Sequence, residues 1–184
     1  MENAKPQPFD IAVKWAAIYV VTSIVLTYAW QLLNVDPNTA VKYIGFVVFI
    51  AFLILAQKEQ RDKQGGFVTF GESFTAGMLY SIVSAVLISI FTYLYYAFLS
   101  PQMFEKILDA TKAGLVEKGT SSDQIDKTMG FMTKYGTLFS AVGALFLIAI
   151  FGIIIALIGA AILKKERTLQ DLEQNSDSFN DPAV

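Results

Sequence analysis

Four long stretches of apolar, almost uncharged residues constrain the fold of this chain more than any other feature. They cover residues 11–33, 37–56, 74–99 and 137–163. Each is long enough to cross the ~30 Å hydrocarbon core of a bilayer as a helix, which takes about 20 residues. Helices of a soluble bundle show a polar face, whereas these stretches are apolar nearly all round. The sequence therefore predicts an all-α integral membrane protein with four transmembrane helices.

The composition agrees with this class and excludes several kinds of chemistry. Hydrophobic residues make up 54% of the chain and charged residues 16%, against about 25% charged in soluble domains. Cysteine and histidine are absent, which removes disulfides, thiol nucleophiles, imidazole bases and the usual zinc ligands. A net charge of −2 offers no basic surface for nucleic acid. We predict no catalytic, metal-binding or cofactor-binding residues, and the lipid bilayer is the first predicted partner.

The first stretch resembles a secretory signal peptide in its position, but we interpret it as a transmembrane helix that is kept. Residues 1–10 carry two acids and one lysine, and the apolar stretch exceeds the length of a signal peptide core. Lys14 lies near its start, where the ammonium can reach the headgroups. Trp15 and Tyr19 near one end and Tyr28 and Trp30 near the other suit the two membrane interfaces.

The distribution of basic residues in short loops predicts the orientation of the chain. Most of them flank the start of the chain, the second loop and the end of the fourth span: Lys5, Lys14, Lys58, Arg61, Lys63, Lys164, Lys165 and Arg167. Because such residues are enriched in cytoplasmic loops, we expect both termini in the cytoplasm, in a multi-pass protein of the cell inner membrane. Asp36 and Pro37 then form a tight outer turn that starts the second helix.

Residues 100–136 form the only sizeable outer segment, and we expect an amphipathic helical hairpin there. Ser100 and Pro101 suit the start of one helix, Lys118 and Gly119 its end, and Ser121 the start of a second. Such a hairpin either binds a partner or ligand, or rests on the headgroups or over the mouth of the bundle, and we favour the second interpretation. Residues 1–166 are predicted to form one membrane domain, and the acidic residues 167–184 a disordered cytoplasmic tail.

Small residues at helical spacing predict where the spanning helices approach each other. They are Gly77, Ser81, Ala85 and Ser89 in the third span and Gly152, Ala156, Gly159 and Ala160 in the fourth. Such stripes allow close helix packing, either between two copies or within one chain, and we favour packing within one chain. Hydroxyls that face a pore, those of Ser81, Ser84 and Ser89, are a third interpretation. No carboxylate lies deep in a span, so a proton-coupled transporter or an intramembrane protease is not expected.

The loop between the second and third spans, EQRDKQGGFVTFGESF from Glu59, contains the most chemically suggestive residues. A phosphate-binding loop needs Lys and Ser or Thr after its last glycine, but Glu72 and Ser73 follow Gly71. We interpret residues 57–64 as an exposed polar turn that contains Glu59 and Asp62. A flexible Gly65-Gly66 break and an interfacial stretch with Phe67 and Phe70 follow, and Thr69 or Ser73 caps the third helix.

Taken together, these motifs resemble a bacterial family. The residues that carry the resemblance are R-x-K-x-G-G-F-V-T-F-G-E-S-F from Arg61 to Phe74, the tight turn at Asp36-Pro37, S-S-D-Q-I-D from Ser121, and the terminal K-K-E from Lys164. They are similar to bacterial domain-of-unknown-function family 4199, over residues 8–166. The resemblance implies a small four-span inner-membrane protein, and it implies no catalytic residues.

The sequence leaves two functional hypotheses open. The first is a non-enzymatic membrane protein that acts by assembly with itself, as a homo-oligomer, or with other membrane proteins. The second is a passive channel or small-solute transporter formed by an oligomer. An enzyme is the least expected class, because Glu59, Asp62 and Glu72 all fall in the predicted loop.

Overall fold

The computed structural model describes residues 7–35 and 42–166 and is built from α-helices. Helix α1 covers Pro8–Leu32, α2 Lys42–Lys63, α3 Phe70–Leu94, α4 Pro101–Glu117 and α5 Ser122–Leu163, and one π-helical turn, Tyr95–Leu99, extends α3. Within the described residues there is no strand; Val68 and Lys165 form one isolated antiparallel bridge. The predicted turn at Asp36 and Pro37 and the predicted acidic tail lie outside the described residues.

Four of these helices are long and apolar enough to cross a membrane: Pro8–Leu32, Tyr43–Lys63, Phe70–Leu99 and Ser122–Leu163. The chain is therefore an all-α integral membrane protein with four transmembrane helices, as the sequence predicts. Helix α4, with its more polar composition, is the helix that does not span. Its start and end follow the predicted residues, because Pro101 occupies the first turn after Ser100 and Gly119, at φ +70°, follows the last turn.

Helix α5 differs from the prediction in its length. The second helix of the expected hairpin and the expected fourth span are one continuous helix of 42 residues. Gly130 and Gly136 lie within the first half of it, but an isolated glycine costs a helix only about 1 kcal/mol, and no proline interrupts the segment. At 1.5 Å per residue α5 is ~63 Å long, roughly twice the hydrocarbon core, so a large part of it extends beyond the core.

Residues 1–81 and 152–184 make up the first of two compact units, which we call unit 1. Its aromatic core consists of Tyr19, Phe49 and Tyr80, whose ring centroids lie 5.2 to 6.2 Å apart. The Tyr80 hydroxyl, fully buried, donates to the Phe49 carbonyl oxygen at 3.2 Å. That bond satisfies the one polar atom of a side chain whose ring fills the interior.

Residues 82–151 make up the second compact unit, unit 2. The Phe104 ring of α4 packs on α5 at Gly136, where a Cβ would lie 2.6 Å from Phe104 Cζ. Tyr96 of the π-helical turn lies against the same ring, with centroids 5.7 Å apart. The Ser100 N–H donates to the Tyr95 carbonyl oxygen at 2.7 Å and closes the π turn. Aromatic packing thus holds α4 to the end of α3 and to α5. Whether residues 1–166 act as one domain stays a prediction.

Candidate functional site

The loop that carries the family-like motif is shorter than the sequence predicts, because α2 continues through Lys63. The expected polar turn at residues 57–64 is therefore wrong for 57–63, which are helical, and Arg61 lies in the last turn of α2. Gln57 and Gln60 are buried there, which explains why the helix does not end at its first polar residues. Helix α2 ends where Gly65 and Gly66 adopt φ of +79° and +87°, a conformation that glycine reaches without strain.

Helix α3 begins with a reciprocal capping box. The Thr69 side-chain oxygen accepts a hydrogen bond from the Glu72 N–H at 3.3 Å, and Glu72 Oε2 accepts from the Thr69 N–H at 3.0 Å. Two N–H groups that have no helical partner are satisfied in this way. Of the two predicted caps, Thr69 is the one in place. Phe70 and Gly71 form the first turn of α3, and the Phe70 ring stacks on Phe74 with centroids 6.2 Å apart.

The loop is tied to the end of α5 by backbone pairing. Val68 and Lys165 exchange two N–H to carbonyl hydrogen bonds of 2.9 Å each, and Lys165 Nζ lies 5.1 Å from the centre of the Phe67 ring. The loop N–H groups that already donate within the chain are those of Gln64, Gly65, Gly66, Val68 and Thr69. The loop therefore closes on itself and on α5 and does not present a row of free N–H groups to a phosphate.

Glu59 joins α1 to α2. It lies in α2 with its side chain 18% exposed, so its predicted place in an exposed turn is wrong. Its carboxylate accepts from Trp15 Nε1 at 2.7 Å, from Lys63 Nζ at 3.0 Å and from Lys14 Nζ. Two cations and an indole thus compensate one carboxylate, and they hold the first turns of α1 against the last turns of α2.

The side-chain amide of Gln57 enters a slot between two glycines of other helices. A Cβ on Gly77 of α3 would lie 2.7 Å from Gln57 Nε2, and a Cβ on Gly159 of α5 would collide with Gln57 Oε1. Gln57 Nε2 donates to the Ser73 carbonyl oxygen at 3.1 Å and to the Ala156 carbonyl oxygen at 2.8 Å. One amide therefore links α2 to α3 and to α5, and the glycines make room for it.

Comparison with known families assigns the chain. Residues 14–165 match the family model described as "Protein of unknown function (DUF4199)", which covers most of the chain. The chain belongs to the DUF4199 family. No curated protein and no solved structure matches it.

The DUF4199 match includes the contact between α1 and α2 at Lys14 and Glu59 and the contact between the loop and Lys165 at Val68. The structure gives the residues of the motif from Arg61 to Phe74 distinct local roles. Arg61 supplies the carbonyl oxygen that accepts from Gln64 and Gly66. The two glycines take left-handed backbone conformations, and Thr69 and Glu72 cap α3. Gly71 is different, since a Cβ there would meet nothing within 4 Å.

The small residues predicted for helix packing fall into both units of the DUF4199 structure. In unit 1, a Cβ on Gly152 would lie 2.9 Å from Phe49 Cζ and would collide with Ser81, and Ala156 and Ala160 are fully buried. In unit 2, Ala85 is buried, and the Ser89 hydroxyl donates to the Ala141 carbonyl oxygen at 2.8 Å. Each of these small residues therefore either contacts a neighbour in its own unit or is buried inside that unit.

Sequence reasoning missed the buried glutamines of α2. Gln57 and Gln60 in α2 and Gln64 just beyond its end recur at helical spacing on the face that also carries Leu53. Gln57, Gln60 and Leu53 are buried, and Gln64 is half-buried. With the Gln64 amide assigned by its neighbours, Gln60 Nε2 donates to Gln64 Oε1 at 2.9 Å and Gln64 Nε2 donates to Glu72 Oε2 at 3.3 Å. The sequence signal that could have predicted these buried glutamines is their spacing, which continues the buried face of the span beyond its last apolar residue.

Three buried oxygens of the two glutamines and of Ser73 have no hydrogen-bond partner among the described residues. They are Gln57 Oε1, Gln60 Oε1 and Ser73 Oγ. Buried polar atoms are normally paired, because an unpaired one costs about 1–3 kcal/mol. In the residues that the structure describes, 7–35 and 42–166, no three His, Cys, Asp or Glu side chains lie together in a group that could hold a metal ion. The chemistry that this arrangement offers is hydrogen bonding by uncharged oxygens inside the bundle.

Proposed function

We propose that this DUF4199 protein is a non-enzymatic, multi-pass protein of the bacterial inner membrane that acts by assembly with itself or with other membrane proteins. The observation that carries the proposal is the outward surface of its spanning helices. Each span contains an apolar stretch of 18 residues, and only 17–28% of that stretch is buried inside the chain. The remaining surface faces lipid or other helices, and packing between helices in a bilayer needs no further chemistry.

Glycines on that outward surface support a protein contact there. In α2 and α5, Gly45 and Gly143 have nothing within 4 Å of the position of a Cβ. This contrasts with Gly77 and Gly159, whose space is filled by Gln57. A small residue on an open face lets the backbone of another helix approach closely, so we expect contacts between chains to include the face of α2 around Gly45.

Crosslinking in the membrane tests the assembly. The chain contains no cysteine, so a single Gly45→Cys variant introduces one reactive position. We expect Gly45→Cys to crosslink to a second copy or to another membrane protein, and the purified protein in mild detergent to exceed the mass of one chain. Ala156→Cys, at a fully buried position, is the matched control and should not crosslink. If both variants give only monomers without partners, assembly is ruled out.

The proposed orientation has its own test. Asp62 lies near the end of α2 with its side chain 52% exposed, and Glu117 is an exposed residue at the end of α4. A membrane-impermeant thiol reagent should label Asp62→Cys only from the cytoplasmic side and Glu117→Cys only from the opposite side. The reverse pattern would invert the topology without changing the fold.

A passive channel or small-solute transporter is the second candidate. The buried and unpartnered oxygens of Gln57, Gln60 and Ser73 favour it, because polar groups inside a membrane bundle often mark the path of a solute. Vesicles that contain the protein should then pass ions or small solutes faster than empty vesicles, and Gln60→Leu should reduce the flux. Flux equal to that of empty vesicles across a panel of ions and solutes would remove this candidate.

A further inference from the structure

Three aromatic side chains of α5 form an exposed ladder in unit 2. The ring centroid of Phe131 lies 5.3 Å from that of Tyr135 and 5.3 Å from that of Phe139. The three residues are 51%, 41% and 57% exposed. Lys134 Nζ lies 5.1 Å from the centre of the Tyr135 ring. The aromatic ladder, Phe131, Tyr135 and Phe139, thus combines a large apolar surface with a phenol and a cation.

The ladder lies across the boundary between the charged and uncharged parts of α5. Asp126, Lys127 and Lys134 precede it or fall within it, and no charged residue follows until Lys164. Phe139 belongs to the uncharged part, while Phe131 lies two turns earlier, about 12 Å along the helix. A headgroup layer is about 5–8 Å thick on each side of the hydrocarbon core, so the ladder has the extent needed to pass from hydrocarbon through the headgroups when the helix is tilted.

The ladder also continues the outward apolar face of the span. Eleven residues are about three turns of helix, so positions eleven apart share a face. Phe131, Tyr135 and Phe139 are in this way aligned with Val142, Phe146 and Ile150, which are 41%, 59% and 58% exposed. That face is the one that an uncharged transmembrane helix turns to lipid. Continuity between the two surfaces indicates that the same solvent, lipid, covers both.

We propose that the aromatic ladder and Lys134 form a contact surface for phospholipid headgroups. In this arrangement the rings lie at the level of the glycerol and ester groups, where aromatic side chains are enriched. The Lys134 ammonium lies at the level of the phosphates, and the ring beneath it restrains its position. The surface sets how deep α5 sits in the membrane. This inference does not depend on the proposed assembly.

Spin labels on the 184-residue chain test the proposal. Because the chain lacks cysteine, single labels can be placed at Phe131, Tyr135 or Phe139 in vesicles of phosphatidylethanolamine and phosphatidylglycerol. Collisions with oxygen and with a water-soluble nickel chelate report depth. Ile150→Cys gives the value for hydrocarbon, and Lys127→Cys, whose native side chain is 76% exposed, gives the value for water. We expect oxygen access relative to nickel access to rise from Phe131 through Tyr135 to Phe139, with all three above the Lys127 value.

Two results would overturn the proposal. Labels at Phe131 and Tyr135 with the same access as the label at Lys127 would place the ladder in water. Dipolar broadening that disappears when labelled protein is diluted with unlabelled protein would show that a second copy covers the ladder instead. A charge reversal adds a separate readout, because Lys134→Glu should shift the Phe131 label toward water, whereas Lys127→Glu should leave it unchanged. Equal responses to the two reversals would exclude the phosphate contact.

Discussion

In both units of the molecule a glycine admits a side chain from another helix, but the side chain is an amide in unit 1 and an aromatic ring in unit 2. Gln57 enters between Gly77 and Gly159 and donates two hydrogen bonds. Phe104 covers Gly136 and makes ring contacts. The difference reflects the two surroundings. Lipid tails are as apolar as leucine, so helices within the bilayer gain specificity from hydrogen bonds and close packing.

The aromatic contact of unit 2 is stabilised mainly by the burial of apolar surface. Helix α4 is not a spanning helix, and Phe104 is its buried residue, at 7% exposure. Burying such a side chain away from water is worth about 1.5–3 kcal/mol. We therefore expect the Gln57 contact to be sensitive to the exact position of its polar atoms and the Phe104 contact to be sensitive mainly to the apolar area that it buries. Four substitutions, taken from the largest expected effect to the smallest, test this contrast.

Gly159→Ala, which adds one methyl group, should reduce the stability of the protein more than the other three substitutions. Its Cβ would collide with Gln57 Oε1 and lie 2.8 Å from Ile54 Cδ1. The amide is fixed by two hydrogen bonds, so it cannot move without losing one, and we expect a loss of about 3 kcal/mol in the free energy of unfolding. Denaturant unfolding in mild detergent measures it. Gly143→Ala is the control on the same helix, where nothing lies within 4 Å, and it should be neutral or stabilising by up to about 1 kcal/mol. Equal effects of the two substitutions would contradict the slot.

Gln57→Leu should cost less, about 1–2 kcal/mol, because the carbonyl groups that it leaves, those of Ser73 and Ala156, keep their helical partners. Leucine also keeps most of the volume. Coupling distinguishes the slot from general packing: Gln57→Ala combined with Gly159→Ala should cost less than the sum of the two single changes. Simple additivity in this double-mutant cycle would mean that the amide and the glycine act independently.

The physics behind Gln57 also explains what the sequence predicts well and what it does not. Apolar runs predict spanning helices directly, since the bilayer requires backbone hydrogen bonds to be satisfied within the helix. Local signals predict the Thr69 cap and the glycine end of α4. Gln57 escapes prediction because hydropathy marks a polar residue as the end of a span, whereas here its hydrogen-bond partners come from α3 and α5. The unbroken α5 is missed for a related reason, because Lys134 and Gly136 mark an end that helix propensity alone does not impose.

Gly136→Ala tests the aromatic side of the comparison and should cost about 1 kcal/mol. The new Cβ would meet Phe104 at Cζ, 2.6 Å away, while the next ring atoms are 3.5 Å and 3.6 Å away. The far end of a ring on a different helix can turn aside, unlike an amide held by two bonds. Hydrogen exchange of the α4 amides should quicken, with no change in unit 1. Phe104→Leu in the Gly136→Ala background should recover part of the loss, and failure to recover it would show that the ring is not the obstacle.

Thr69→Ala should have the smallest effect of the four, about 1 kcal/mol, and it separates local capping from the interior contacts of unit 1. The substitution removes the side-chain oxygen that accepts from the Glu72 N–H and donates to Glu72 Oε2 at 2.9 Å. Thr69→Ser keeps that oxygen, and Glu72→Gln keeps an acceptor for the Thr69 N–H, because capping boxes accept Glu or Gln. Unfolding in mild detergent should therefore rank Thr69→Ala as less stable than both conservative variants.

Any transport or binding activity should survive Glu72→Gln, because the carboxylate acts there as a helix cap. Loss of such an activity with unchanged stability would instead give the Glu72 carboxylate a role in function and would place the functional site at the start of α3.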